Sequence, residues 1–210
     1  MGRCIIFCAG GFSQLAGPVQ REDYIIAADG GFAHVEKLGL KADAVLGDFD
    51  SLGYVPENAN IFPVEKDDTD AMLAVRHGLQ RGYREFLLYG GLDGPRLDHT
   101  VANFQTLQFL ADHGAQGWLI GLSQIAGVVK NGGVVFPPEA RGTISVFCMG
   151  ADARGVTLKN LYYPLQDGTL TAGFPLGVSN HFTGAAAEIT VTDGSLLLLW
   201  DVENGIPERK

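Results

Sequence analysis

Cysteine is scarce in this 210-residue chain: three residues, Cys4, Cys8 and Cys148, which cannot all pair with one another. A disulfide-stapled fold is therefore excluded, and with no export pattern in view a reducing, cytoplasmic compartment is the expected one. Positive charge is scarce too. Lys and Arg number 15 against 24 Asp and Glu, a formal net charge of −9 at pH 7, which is the opposite of the basic face that a nucleic-acid polymer requires. A nucleotide ligand stays open, because its charge can be offset locally. Long hydrophobic runs are missing as well: the longest candidate, residues 196–200, falls far short of the ~20 apolar residues of a membrane helix, so no span is expected. The first eight residues hold one basic side chain and no long apolar region leading to a cleavage site, and they read as a strand.

What is abundant is glycine, 29 residues, roughly twice the usual share. The apolar fraction of 46% suffices for a core without metal staples. Up to about residue 122, strand-like runs at 4–9, 24–28, 44–46, 61–64, 85–89 and 118–121 alternate with helical periodicity, which predicts an α/β domain with a mostly parallel sheet. A helix over 69–80 aligns Met72, Val75 and Leu79, with Asp67 and Asp70 spaced as a cap. A second helix over 96–113 sets Leu97, Val101, Phe104 and Leu107 or Gln108 on one side and an all-polar stripe of Arg96, His99 and Asn103 on another. Beyond residue 122 no helical period recurs. Short runs at 125–129, 134–136, 143–148, 156–158, 169–171, 187–191 and 196–200, with Asp167-Gly168 and Asp193-Gly194 as hairpin signals, predict an all-β sandwich or small barrel. The expected domains are 1–122 and 123–210.

An open α/β sheet takes ligands at the carboxyl ends of its strands, and four acidic or Gly-rich clusters stand there: Ala28-Asp29-Gly30-Gly31, Gly47-Asp48-Phe49-Asp50-Ser51, the run from Glu65 to Asp70, and the run from Gly90 to His99. Asp48 and Asp50, two apart on extended backbone, point to one side and can hold a hard cation through oxygen; the same residues also suit a solvated turn. Asp67, Asp68 and Asp70 add three like charges in four residues at a helix start. Capping accounts for one or two, and a metal ion would account for the surplus. The loop 90–95 can cradle an anion or be an ordinary turn, while Arg96 behind it can fork two phosphate oxygens. For His99 a structural hydrogen bond and a catalytic role are both open. Cys4 and Cys8 read as core thiols, and His34, His77 and His113 as surface or core. Tyr162, Tyr163 and Trp200 can stack on a ligand ring or simply pack. The stretch from Gly177 to Asn180 reads as a polar turn.

Taken in order, Ala28-Asp29-Gly30-Gly31, Gly47-Asp48-Phe49-Asp50-Ser51, Lys66-Asp67-x-Thr69-Asp70 and Gly90-Gly91 through Arg96-x-Asp98-His99 with Asn103, followed by Gly155-Val156, Leu161-x-Tyr163-Pro164-Leu165 and Gly177-x-Ser179-Asn180, resemble the thiamin pyrophosphokinase family across nearly the whole chain. That family transfers a diphosphoryl group from ATP to the hydroxyl of thiamin. The resemblance implies a Rossmann-like N-terminal α/β domain that binds ATP and Mg²⁺, a C-terminal β-sandwich that binds thiamin, and a homodimer with its active sites at the subunit interface. It implies Mg²⁺ on Asp48, Asp50 and Asp70, with Arg96 and Asp98 lining the phosphate and hydroxyl region. On the nucleotide side it places Asp29, Gly30, Lys66, Asp67, Thr69, Gly91, Arg96, His99 and Asn103. On the thiamin side it places Asp70, Asp98, Tyr163, Ser179 and Asn180, with Asp70 and Asp98 both open as acceptor of the hydroxyl proton. One departure stands out: Ala33 occupies a position where the family often has Asn. The cationic thiazolium fits an acidic cleft, which would draw it in by steering.

Overall fold

Where strand-like and helical runs alternate, the backbone of the computed structural model, which describes residues 2–47, 60–61 and 68–210, forms a parallel sheet. The chain divides into two compact units, Met1–Leu122 and Ser123–Lys210. In the first, β1 (Cys4–Phe7), β2 (Tyr24–Ala28), β3 (Ala44–Gly47), β4 (Asn60–Ile61), β5 (Glu85–Tyr89) and β6 (Gln116–Ile120) lie in the order β6-β5-β1-β2-β3-β4. Every neighbouring pair among them is parallel. These strands are apolar runs without alternation because β1, β5 and β6 are buried through nearly their full length, with Ile5, Ile6, Phe7, Phe86, Leu87 and Leu88 at the centre. Most of the expected strand at 61–64 lies outside the described residues.

Among the described residues three α-helices connect the strands: α1 (Phe32–Lys37), α2 (Asp70–Gln80) and α3 (Leu97–Asp112). The first is absent from the sequence reading, because six residues with one buried side chain, Val35, are too short to show a period. The cap of α2 also differs from expectation. Thr69 is the N-cap, its hydroxyl accepting from the Met72 N–H at 3.2 Å, while Asp68 is drawn into an ion pair with Arg76 at 3.1 Å. The largest correction concerns α3. Leu97 is 76% and Val101 50% exposed, whereas Asn103, Thr106, Leu107 and Leu110 are buried. The cause is a notch in β6. A Cβ on Gly117 would lie 2.5 Å from Leu110 and 2.9 Å from Leu107, so those two leucines seat in the notch and turn Asn103 inward.

The second unit is antiparallel throughout. It comprises β7 (Gln124–Phe136), β8 (Thr143–Cys148), β9 (Ala153–Lys159), β10 (Leu165–Leu170), β11 (Gly177–His181), β12 (Ala187–Asp201) and β13 (Glu208–Arg209). Along its whole length β12 pairs with β7, and on its other side it changes partner, from β9 near Glu188–Thr190 to β8 over Leu196–Trp200. Neither expected hairpin forms. Asp193-Gly194 lies inside β12, where the register jumps from Val191 opposite Gly132 to Ser195 opposite Lys130, and the Gly194 N–H donates to Asn131 Oδ1 at 2.9 Å. Asp167-Gly168 lies inside β10 at a register shift against β9. Asp167 (φ +48°), Asn131 (φ +45°) and Gly194 (φ +111°) take positive φ, a conformation that serves a bulge as readily as a hairpin turn. By the same device the expected turn at Gly177–Asn180 is part of strand β11, with Ser179 (φ +56°) at its shift against β8. The core here centres on Trp200, Phe136, Ile144 and Leu198.

Candidate functional site

At the carboxyl edge of the parallel sheet, glycine is dictated by crowding. A Cβ on Gly31 would lie 1.9 Å from the Phe7 carbonyl oxygen, and one on Gly90 would lie 2.2 Å from that of Gly10. Another on Gly47 would meet the Asp29 Cα at 2.9 Å. With no side chains in the way, the ends of β1, β2, β3 and β5 close on one another and gather the residues that follow them. Asp29 (φ +47°) opens a 3-10 turn over Asp29–Gly31. Asp70 opens α2 close enough to the end of β1 that its charge, added to burial as the larger cause, pushes the Cys8 thiol up to about 12. Cys4 and Cys8 are buried thiols, as the sequence suggests.

Strand order reverses between β1 and β5, the place where such sheets hold ligands. Both loops leaving that point are tied together. The Gly10 N–H donates to the Gly90 carbonyl at 3.1 Å, Gly11 bridges Asp93, and the Ser13 N–H donates to the Gly121 carbonyl at 3.1 Å. The Leu122 N–H donates to Asp93 Oδ2 at 2.6 Å. His34 stands 3.0 Å from the Gly10 carbonyl and edge-on to Phe12, so this histidine, read as surface or core, supports the first loop. The sequence reading missed Gly10, Gly11 and Ser13, and held Asp93 only as a member of the run from Gly90 to His99. The Gly10-Gly11 pair shortly after the first strand was the signal.

Arg96 and Asp98 form a two-point pair, Nη2 to Oδ2 at 2.6 Å and Nε to Oδ1 at 3.2 Å, and both are exposed. The hydrogen bond with Arg96 holds the Asp98 carboxyl below the usual carboxylate range, and the same bond raises Arg96. Asp98 Oδ1 also accepts from the His99 N–H at 3.0 Å. The polar stripe of α3 does not act as one ligand face. Arg96 and His99 are exposed, but Asn103 is buried with its amide donating to the Gly91 carbonyl at 2.8 Å. Ala33 is exposed on α1. Asp48, Asp50, Lys66 and Asp67 lie outside the described residues, and among the described residues no three His, Cys, Asp or Glu side chains gather as a metal site. The family-implied donor set of Asp48, Asp50 and Asp70 is all carboxylate oxygen, which suits a hard cation.

In the second unit Asn180 is 2% exposed. Its Oδ1 accepts from the Tyr163 N–H and the His181 N–H, both at 2.9 Å, and its Nδ2 donates to the Tyr163 carbonyl at 2.8 Å. That clamp fixes an exposed pair of rings, Tyr162 and Tyr163, edge to face at 4.9 Å. Ser179 is exposed beside it, its N–H donating to Ser145 Oγ at 3.0 Å. Trp200 is not available for stacking on a ligand: it is fully buried, with its indole N–H on the Gly205 carbonyl at 2.8 Å. A cavity of about 160 Å³ lies between β8 and the segment 170–177, lined by Cys148, Leu170, Phe174 and Leu176.

Two family models match the chain, "Thiamin pyrophosphokinase, catalytic domain" over residues 17–119 and "Thiamin pyrophosphokinase, vitamin B1 binding domain" over residues 134–196. The thiamine pyrophosphokinase of Bacillus subtilis (strain 168) is 24% identical over 201 residues, covering 88% of this chain and 90% of its own length. A crystal structure of the Bacillus subtilis thiamine pyrophosphokinase superposes with a TM-score of 0.83 at 23% identity, over 96% of this chain and 99% of that one. One of a thiamin pyrophosphokinase family protein from Enterococcus faecalis gives 0.79 at 24% identity, over 96% and 99%.

Proposed function

The chain belongs to the thiamin pyrophosphokinase family, whose members transfer the diphosphoryl group of ATP to the hydroxyl of thiamin, and from that premise we propose how its residues divide the work. The first unit is the Rossmann-like catalytic domain, 1–122, and the second, 123–210, the thiamin-binding β-sandwich. The observation that carries this division is the β1/β5 reversal, with the Gly90–Arg96 loop and the Arg96–Asp98 pair at its carboxyl edge. Asp29, Gly30, Lys66, Asp67, Thr69, Gly91 and His99 complete the nucleotide side.

Arg96 takes phosphate oxygens through its fork while Asp98 orients the guanidinium. The thiamin hydroxyl oxygen bonds to the β-phosphorus, the bond from that phosphorus to the α–β bridging oxygen breaks, and AMP leaves with the electron pair. The hydroxyl proton passes to an ionised carboxylate, Asp70 or Asp98, and Asp98 is kept ionised by Arg96. Mg²⁺ held by Asp48, Asp50 and Asp70 would supply charge neutralisation on the phosphates. Tyr163 offers a ring face to the thiazolium cation and Ser179 a hydroxyl, while Asn180 acts by holding Tyr163.

Exposed Phe174, Leu176 and Val178 support a homodimer with the site at the subunit interface. Among the described residues no helix is long and apolar enough to cross a membrane, which accords with a cytoplasmic enzyme. The test is an assay with ATP, Mg²⁺ and thiamin that quantifies AMP and thiamin diphosphate together. Equal amounts, abolished by EDTA, are expected; ADP with thiamin monophosphate would reject diphosphoryl transfer, and a monomeric mass in light scattering would reject the shared site.

A further inference from the structure

The resemblance sets Asn103 on the nucleotide side and gives Thr100 no part, yet Asn103 is buried and both side chains aim at the same loop. The Asn103 amide donates to the Gly91 carbonyl at 2.8 Å, and the Thr100 hydroxyl donates to the Leu92 carbonyl at 3.1 Å. With the Gly10 N–H on the Gly90 carbonyl at 3.1 Å, three consecutive carbonyls are turned toward protein donors. All peptide bonds of the described residues are trans, and in a trans peptide the N–H points opposite to the C=O of the same unit. The N–H groups of Gly91, Leu92 and Asp93 are therefore turned away from those donors, as a run of successive donors must be to form an anion-binding concavity. Asp93 anchors the far side of the same loop through its carboxylate on the Leu122 N–H at 2.6 Å. Close approach is built in: a Cβ on Gly91 would lie 2.5 Å from Leu119 and 3.4 Å from the Asn103 amide nitrogen.

We propose that Asn103 and Thr100 are positioning residues for diphosphoryl transfer, which hold the loop 90–93 with its N–H groups presented to the ATP phosphates and do not touch the nucleotide. This rests on the placement of ATP at that loop. It explains why an asparagine is buried in the second turn of α3, on the face that Leu107 and Leu110 continue, and it gives the two side chains one shared task.

The test uses the full-length protein and three variants, Asn103→Asp, Thr100→Val and Thr100→Ser. Titration calorimetry with Mg²⁺ and α,β-methylene-ATP, without thiamin, reads nucleotide binding, and steady-state kinetics read KM for each substrate. Asn103→Asp keeps the shape but sets a carboxylate against the Gly91 carbonyl, and should weaken nucleotide binding by about tenfold or more. Thr100→Val keeps the shape and loses one donor, for about a three- to fivefold loss, which Thr100→Ser should restore to within about twofold. KM for thiamin should move by less than about twofold in all three, a split that mere loosening of the fold would not produce. If Thr100→Val binds the analogue as tightly as the parent, or if ATP and thiamin affinities fall together, the positioning role is wrong. A parent protein that makes AMP and thiamin diphosphate while all three variants bind the analogue as tightly as it does overturns this inference alone; a parent that neither binds the analogue nor makes AMP overturns the placement of ATP as well.

Discussion

The two units use unusual backbone for different ends. In the parallel unit, glycine stands where strand ends collide: Gly31 against Phe7, Gly90 against Gly10, Gly47 against Asp29. In the antiparallel unit, positive φ at Asn131, Asp167, Ser179 and Gly194 absorbs extra residues within long strands. The first device brings loops from different strands to one edge, where chemistry needs several groups at once. The second bends strands and re-aims single side chains, as at Ser179 beside the Asn180 clamp. The proposed site of catalysis and the proposed site of ring recognition therefore differ in how much of the chain each must gather.

The sharpest test of that contrast is Arg96→Ala. Arg96 is exposed and held by Asp98 alone among the side chains it is seen to bond, so kcat/KM should fall by about 10² to 10³-fold with the melting temperature unchanged; loss of both together would show that the edge is structural. Gly31→Ala should do the reverse. Its Cβ meets backbone at 1.9 Å, and chemical denaturation should show a loss of about 3 kcal/mol. Asn180→Ala carries the contrast into the second unit. Removing a buried amide with three hydrogen bonds should cost about 2 kcal/mol and raise KM for thiamin while KM for ATP holds; an unchanged thiamin KM would sever Tyr163 from recognition.

The smallest effect concerns His77 on α2, 3.2 Å from the Tyr24 hydroxyl and beside Arg81. Burial, then the Arg81 charge, lowers its pKa below the ordinary 6.5. The unfolded chain therefore binds a proton there first as pH falls, so stability should decline below about pH 6.5. Thermal melts between pH 8 and 5 should show a shallower slope in His77→Gln, and an identical slope would assign the loss to other groups.

Much of the architecture was legible in residue order. Strands over 24–28, 85–89 and 143–148 stand where their apolar runs place them, because a buried strand announces itself by composition. The clusters at 28–31 and 90–99, which follow β2 and β5, were legible for the same reason; the clusters at 48–51 and 65–67 lie outside the described residues. Other features were not. The face of α3 was misjudged at Leu97 and Val101 because helical period names a stripe but not what it docks against, and the Gly117 notch lies on another element. Asp193-Gly194 was misjudged because a local positive φ does not reveal whether the partner strand is the next in sequence or one already laid down.

By itself the sequence determined the parallel-then-antiparallel order, the scarcity of positive charge and the family motifs, since these follow from residue type, spacing and sum. Tertiary structure alone decided that Asn103 and Asn180 turn inward to fix backbone, that Trp200 is core, and that the loops after β1 and β5 lock together. An amide side chain carries both donor and acceptor, so its chemistry suits ligand and backbone equally, and what it serves is settled by which groups the fold sets within about 3 Å of it.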